Sequence, residues 1–197
     1  MVWGALVATI SAIAAAAVVL PSHDKPLPLY GTLPDFTLQD QNNQNTTLGS
    51  LSGSVCVADV IFTRCAGQCL QMSATMKEIQ AALPTPLPVK LISFTTDPAY
   101  DTPSVLKKYG ERYEAQDGRW LFLTGDKKTL RNVTIGGLKL SVVEKPTAEQ
   151  DNADDLFIHS TKIVLIDKKG RIRGYFDGET GDSVAQVVAG AKSLARE

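Results

Sequence analysis

The run Val55–Phe62 (VCVADVIF) is short, β-branched and almost wholly apolar, and it ends abruptly at Thr63-Arg64. Such a run reads as a central strand covered on both faces, so the chain needs layers on either side of a sheet. The stretch Val55–Met76 then turns at Gly67 and becomes helical, with Leu70, Met72, Met76, Ile79 and Leu83 compatible with one buried side. Cys65 therefore stands at the mouth of the strand and Cys69 in the first turn of the helix. A helix N-terminus carries roughly half a positive charge, which favours a thiolate over a thiol, and Arg64 beside Cys65 acts in the same sense. Two thiols four positions apart can share one metal ion or close a disulfide.

The rest of the composition narrows the choices. A chain of 197 residues fits one domain plus a terminal extension. A formal net charge of −1 gives no electrostatic reason to expect nucleic acid as partner. Three cysteines are too few for a disulfide-stapled scaffold. One close pair with an odd thiol left over suggests a redox or metal site instead.

Met1–Leu20 is uncharged and continuously apolar or small. At about 1.5 Å per residue it is just long enough to cross a hydrocarbon core of roughly 30 Å. It reads either as a membrane anchor or as a signal peptide cut near Ala14–Ala17, although the usual positive n-region is missing. Either way the folded part, residues 33–197, is expected outside the cytoplasm, joined by a Pro-rich extended tether over residues 21–32.

Along the folded part, Asp35–Leu38 and Thr46–Leu48 flank a polar run and predict a β-hairpin. The helix after Cys69 is stopped by Pro84, Pro86 and Pro88. Val89–Phe94 predicts a second buried strand, and Thr102–Glu114 a helix capped by Asp101 or Thr102 with Pro103 in its first turn. Trp120–Leu123 reads as a strand and Asp126–Val133 as a short helix. Thr134–Leu156 reads as an inserted hairpin or mobile loop, with Gly136-Gly137 and an acidic run of Glu149, Asp151, Asp154 and Asp155. Ile163–Ile166 and Ile172–Phe176 predict a hairpin across Asp167–Gly170, and Ser183–Ala195 a closing amphipathic helix. This alternation describes an α/β, thioredoxin-like sandwich: a central mixed sheet flanked by helices, with an N-terminal hairpin and an insertion before the histidine strand.

The chain has two histidines, His23 in the tether and His159 before the strand Ile163–Ile166. A lone histidine is more often structural than a ligand. In a thioredoxin-like sheet, however, the strand after such a loop runs beside the cysteine turn, and His159 could add a nitrogen to two sulfurs. Soft thiolates select Cu(I), and an added imidazole admits Cu(II), whereas zinc would need a fourth ligand. Cys56 has the opposite strand parity to Cys65 and reads as a core residue. Asp59, inside the apolar strand, is either a carboxylate bonded to backbone or a proton acceptor raised by burial near thiols. Asp97, ending the next strand, could tune or transiently bind Cu(II), or merely cap the following helix.

In order, VADVIFTRCAGQC, LISFTTDPAYDTPSVLKKYGERY, RWLFLTGD and IHSTKIVLIDKKGRIRGYFDG resemble the Sco/SenC family. These are membrane-tethered copper proteins of thioredoxin-like fold that serve assembly of the dicopper CuA centre of cytochrome c oxidase. The resemblance runs from about Leu33 to the C-terminus. It implies copper, as Cu(I) or Cu(II), held by Cys65, Cys69 and His159. It also implies as partners the CuA-bearing oxidase subunit and a copper donor protein, on the periplasmic side of a membrane. The chain departs from the family where proline often follows each cysteine (here Ala66 and Leu70) and where aspartate often precedes the histidine (here Ile158).

Two functions of different class fit. One is a metallochaperone that delivers copper to the CuA site or prepares it. The other is a thiol–disulfide oxidoreductase that reduces the cysteines of the oxidase subunit or acts in redox signalling, with Cys65 and Cys69 as catalytic pair. Only the first needs His159. A peroxidase is disfavoured because Thr63 is too close to Cys65 to supply the hydroxyl such enzymes use.

Overall fold

A computed structural model describes residues 26–145 and 157–197, with the backbone alone at 158 and 159. Met1–Leu20, His23 and the acidic residues Glu149, Asp151, Asp154 and Asp155 lie outside the described residues. Among the described residues, no helix is long and apolar enough to cross a membrane.

Strand β4 (Val55–Ile61) is buried along its whole length. It lies inside a six-stranded sheet of order β1-β10-β9-β4-β5-β6. Its companions are β1 (Gly31–Thr32), β5 (Val89–Thr95), β6 (Trp120–Leu123), β9 (Lys162–Ile166) and β10 (Arg171–Asp177). β4, β5 and β6 are parallel, while β9 runs antiparallel to both β4 and β10. The expected mixed sheet flanked by helices is thus the observed architecture.

Strand alternation explains why β4 is apolar throughout. Val55, Val57 and Ile61 pack under α2 (Gln68–Ala82), α3 (Pro103–Arg112) and α5 (Asp182–Arg196), through Met76, Ile79, Leu106, Val187 and Leu194. Cys56, Ala58 and Val60 face a second core. That core is closed by the hairpin of β2 (Thr37–Gln39) and β3 (Asn45–Thr47), by α1 (Leu48–Leu51), by α4 (Lys127–Arg131), and by a π-helical turn, Asn132–Gly137.

Two expectations are corrected. Helix α2 starts at Gln68 and buries Cys69, Met72, Ser73, Met76, Ile79 and Gln80. Leu70 falls off that stripe and is 42% exposed. Of the two cap candidates for α3, Thr102 is the N-cap, without a capping hydrogen bond from its side chain. The start of Thr134–Leu156 is core rather than loop, since Thr134, Gly137, Leu138, Leu140 and Val142 are buried. A Cβ on Gly137 would meet Pro34 Cδ at 2.5 Å, so this close approach of the turn to the N-terminal segment requires glycine.

A hairpin does follow. Strand β7 (Val142–Glu144) pairs antiparallel with β8 (Phe157–His159), with Val142 opposite His159. His159 therefore ends a strand of its own, with Ser160 and Thr161 between it and β9.

Candidate functional site

The cysteine turn begins where β4 leaves the sheet. Phe62 is buried, and the Cys65 N–H donates to its carbonyl at 3.2 Å, which closes a tight turn. Ala66, Gly67 and Gln68 are exposed and Cys65 is half-buried, while Cys69 in the first turn of α2 is fully buried. The pair are thiols rather than a disulfide, and their side chains are in hydrogen-bond contact. That contact is the main cause pushing the Cys69 thiol far above its ordinary value. Burial and the charges of Cys65 and Asp59 push the same way, against the backbone of Phe62. The helix N-terminus, expected to favour a thiolate, is outweighed at Cys69 by desolvation and by its neighbour. Of the two, Cys65 is the member that solvent or a partner meets.

Asp59 is fully buried and shares the parity of Val57 and Ile61, so it lies on the α2 face of the sheet. Cys56 lies on the other face, where burial pushes its thiol up to about 12. It is a core residue, as its parity predicts.

The two residues ahead of Cys65 are both held by one loop, Asp97–Asp101. The Arg64 guanidinium donates to Asp97 Oδ2 at 2.5 and 3.2 Å and lies 4.4 Å from the centre of the Tyr100 ring. Asp97 thus faces Arg64. Only its backbone carbonyl, accepting from the Tyr100 and Asp101 N–H groups, serves the approach to α3. Thr63 donates to the buried Asp101 carboxylate twice, from its hydroxyl and from its backbone N–H at 3.2 Å. Thr95, at the end of β5, donates its hydroxyl to Asp101 at 2.5 Å and accepts the Asp97 N–H at 2.9 Å. Burial pushes the Asp101 carboxyl up, against the pull of these donors. Sequence reasoning missed this arrangement, although a D-P followed by D-T-P, with a threonine ahead of the cysteine, marked the same residues.

Strand β8 docks on the turn through rings: Phe157 meets Phe62 edge-on, centroids 5.2 Å apart. His159 stands two positions further along this strand, and its side chain lies outside the described residues. Among the described residues, no three His, Cys, Asp or Glu side chains gather closely enough to hold a metal ion. The structure brings Cys65 and Cys69 together and gives Asp97 to Arg64. Two sulfurs in contact, one half-exposed, form a soft donor pair suited to Cu(I).

Residues 28–196 match the SCO1/SenC family model. The SCO1 protein homolog of Bacillus subtilis is 32% identical over 168 residues, spanning 84% of each chain. Among solved structures, BsSco, described as a member of the Sco family of cytochrome c oxidase assembly proteins with a disulfide switch, is 31% identical with a TM-score of 0.74. The match covers 87% of this chain and 98% of that one. Bradyrhizobium japonicum ScoI, solved with copper bound, is 25% identical with a TM-score of 0.70, covering 83% and 99% of the two chains.

Proposed function

The chain belongs to the SCO1/SenC family, and from that premise we propose that it is a copper protein of cytochrome c oxidase assembly. It holds one copper ion on Cys65, Cys69 and His159 and delivers it to, or prepares, the CuA site of the oxidase subunit. The observation that carries this reading is the thiol pair itself: two sulfurs in contact at the open end of β4, one half-exposed. Copper supplies a soft acceptor for both sulfurs, and as Cu(II) it needs a nitrogen or oxygen donor as well. The chain's own part is to keep Cys69 buried and Cys65 reachable, so that cargo enters and leaves past Cys65. An uncharged Met1–Leu20 fits a domain held on the outer side of a membrane.

The second reading, a thiol–disulfide oxidoreductase, draws on the same pair. The Cys65 thiolate would attack a partner disulfide, and Cys69 would then displace the partner's sulfur. The Cys65–Cys69 disulfide forms, and two electrons and two protons pass to the partner. The two readings share a requirement, since copper loads only onto reduced thiols.

Copper titration of the reduced and oxidised domain lacking Met1–Leu20 tests the first reading. The reduced domain is expected to bind one copper ion and the oxidised domain none. Comparable affinity in both would end it. His159→Ala then separates the two: it is expected to keep weakened Cu(I) binding and disulfide exchange, and to lose most sulfur-to-Cu(II) charge-transfer absorption. An unchanged Cu(II) spectrum, with normal support of the oxidase in cells, would make His159 structural and favour the reductase.

A further inference from the structure

We infer that Asp101 is a positioning residue for the thiol pair, fixing the backbone that leads into Cys65. The inference deepens the copper-and-thiol reading of that pair and rests on it. Asp101 is fully buried, and its carboxylate accepts three donors from two strand ends: the Thr63 hydroxyl, the Thr63 N–H and the Thr95 hydroxyl. Thr63 is two residues ahead of Cys65, and the same turn is held also by the Cys65 N–H on the Phe62 carbonyl and by Arg64 on Asp97. The helix N-cap that might have used this carboxylate is Thr102, so Asp101 is committed to the turn instead.

The chemistry explains why an aspartate stands there. A carboxylate offers about four lone-pair sites and can take all three donors at once, where an amide oxygen could take two. Hydrogen bonds to an ionised acceptor are roughly twice as strong as neutral ones. The end of β4, the end of β5 and the start of α3 are thereby locked together just before the reactive sulfur. A metal site gains from such preorganisation, because a ligand already held in place loses less freedom on binding. Groups that orient metal ligands commonly cost about 10- to 100-fold in affinity when removed.

The test compares Asp101→Ala, Thr63→Val and Thr63→Ser with Leu194→Ala, a core variant far along α5 that controls for lost stability. Each is measured with copper, by titration and Cu(II) charge-transfer absorption. Each is measured also without copper, by the Cys65–Cys69 equilibrium against a dithiothreitol buffer, in which the two thiols give two electrons and two protons to oxidised dithiothreitol. Asp101→Ala is expected to bind copper about 10- to 100-fold more weakly, with a shifted spectrum and a shifted thiol–disulfide equilibrium. Thr63→Val should follow it in part, and Thr63→Ser, which restores the hydroxyl, should match the wild type. Leu194→Ala should lower thermal stability and leave both readouts alone. If Asp101→Ala does not fold, Thr63→Val against Thr63→Ser decides. Wild-type behaviour in the Asp101 and Thr63 variants, or an equal shift in Leu194→Ala, overturns the inference. If the wild-type protein binds no copper, the copper reading falls, and the dithiothreitol equilibrium alone decides the role of Asp101.

Discussion

Asp97, Asp101 and Asp167 carry the same carboxylate into three surroundings, and the surroundings decide what each does. Asp97 meets one guanidinium at the protein's edge, with Arg64 27% exposed. An ion pair in such a place contributes about 1 kcal/mol at most. Asp97→Asn is therefore expected to lower Tm by about 2–4 °C, the shift of roughly 1 kcal/mol in a domain this size. It should leave the Cu(II) spectrum unchanged, because the carboxylate is spoken for by Arg64. A lost charge-transfer band in that variant would return Asp97 to the metal. Asp167 is the opposite case to Asp101. Burial opposes its ionisation, but the N–H groups of Arg171 and Lys169 and the side chains of Arg171 and Arg173 outweigh burial and hold its carboxyl below the usual range. The folded state therefore binds this proton less readily than the unfolded chain, whose aspartates titrate near about 3.9. Its contribution is full above that value and is lost as pH falls through the lower folded value. Asp167→Asn should be less stable than wild type at pH 7, with the gap in Tm closing below about pH 4. A constant gap across the acid range would contradict this.

At the scale of elements, what the sequence made legible was periodicity. The apolar run of β4 and the prolines after α2 bounded their elements closely, because burial on both faces and a missing N–H act locally. In helix α2 the sequence misled at one residue, because Leu70, apolar yet exposed, looked like part of the buried stripe. The region after Thr134 was opaque for a different reason. A π-helical turn has no apolar period of its own, and its glycine answers to a contact with Pro34, distant in sequence. The cysteines were readable from spacing alone. The Arg64–Asp97 and Thr63–Asp101 contacts were not, since they join residues more than thirty positions apart. The β7–β8 hairpin supplies a prediction at this scale. Its ring contact, Phe157 on Phe62, is worth about 0.5–1.5 kcal/mol beyond the area it buries. Phe157→Ala should loosen the strand that ends in His159. If His159 is a ligand, this variant loses Cu(II) affinity and charge-transfer intensity while its Cu(I) binding and disulfide exchange stay near wild type. Equal loss for both copper states would detach the hairpin from the metal.

Across the whole molecule, the sheet separates stability from chemistry by putting them at opposite ends. Arg173 sits where the β9–β10 register shifts between Ile172 and Gly174, and such a bulge re-aims a side chain. Its guanidinium is 6% exposed and meets Asp167 at 3.0 Å, Glu197 at 3.0 Å and the carbonyls of Leu27 and Pro28 at 2.8–3.1 Å. The chain read as a tether is thus pinned from Leu27 and joins the sheet at Gly31, opposite Ile172. Through Ile166, Ile172 is level with Cys56, near the start of β4. The cysteine turn lies past the other end of that strand, about 17 Å or more away at roughly 3.3 Å per residue. Removing one member of a buried, hydrogen-bonded pair strands the other, at a cost of about 3–5 kcal/mol. Arg173→Met is expected toward the low end, because Arg171 still meets Asp167 at 2.7 Å. A loss of about 3 kcal/mol lowers Tm by roughly 6–12 °C in a domain of this length. Copper affinity and the thiol–disulfide equilibrium, measured well below the new Tm, should stay within about twofold of wild type, since distant sites without shared partners act independently. A change in copper affinity as large as that in Asp101→Ala would mean that the two ends of the sheet are coupled.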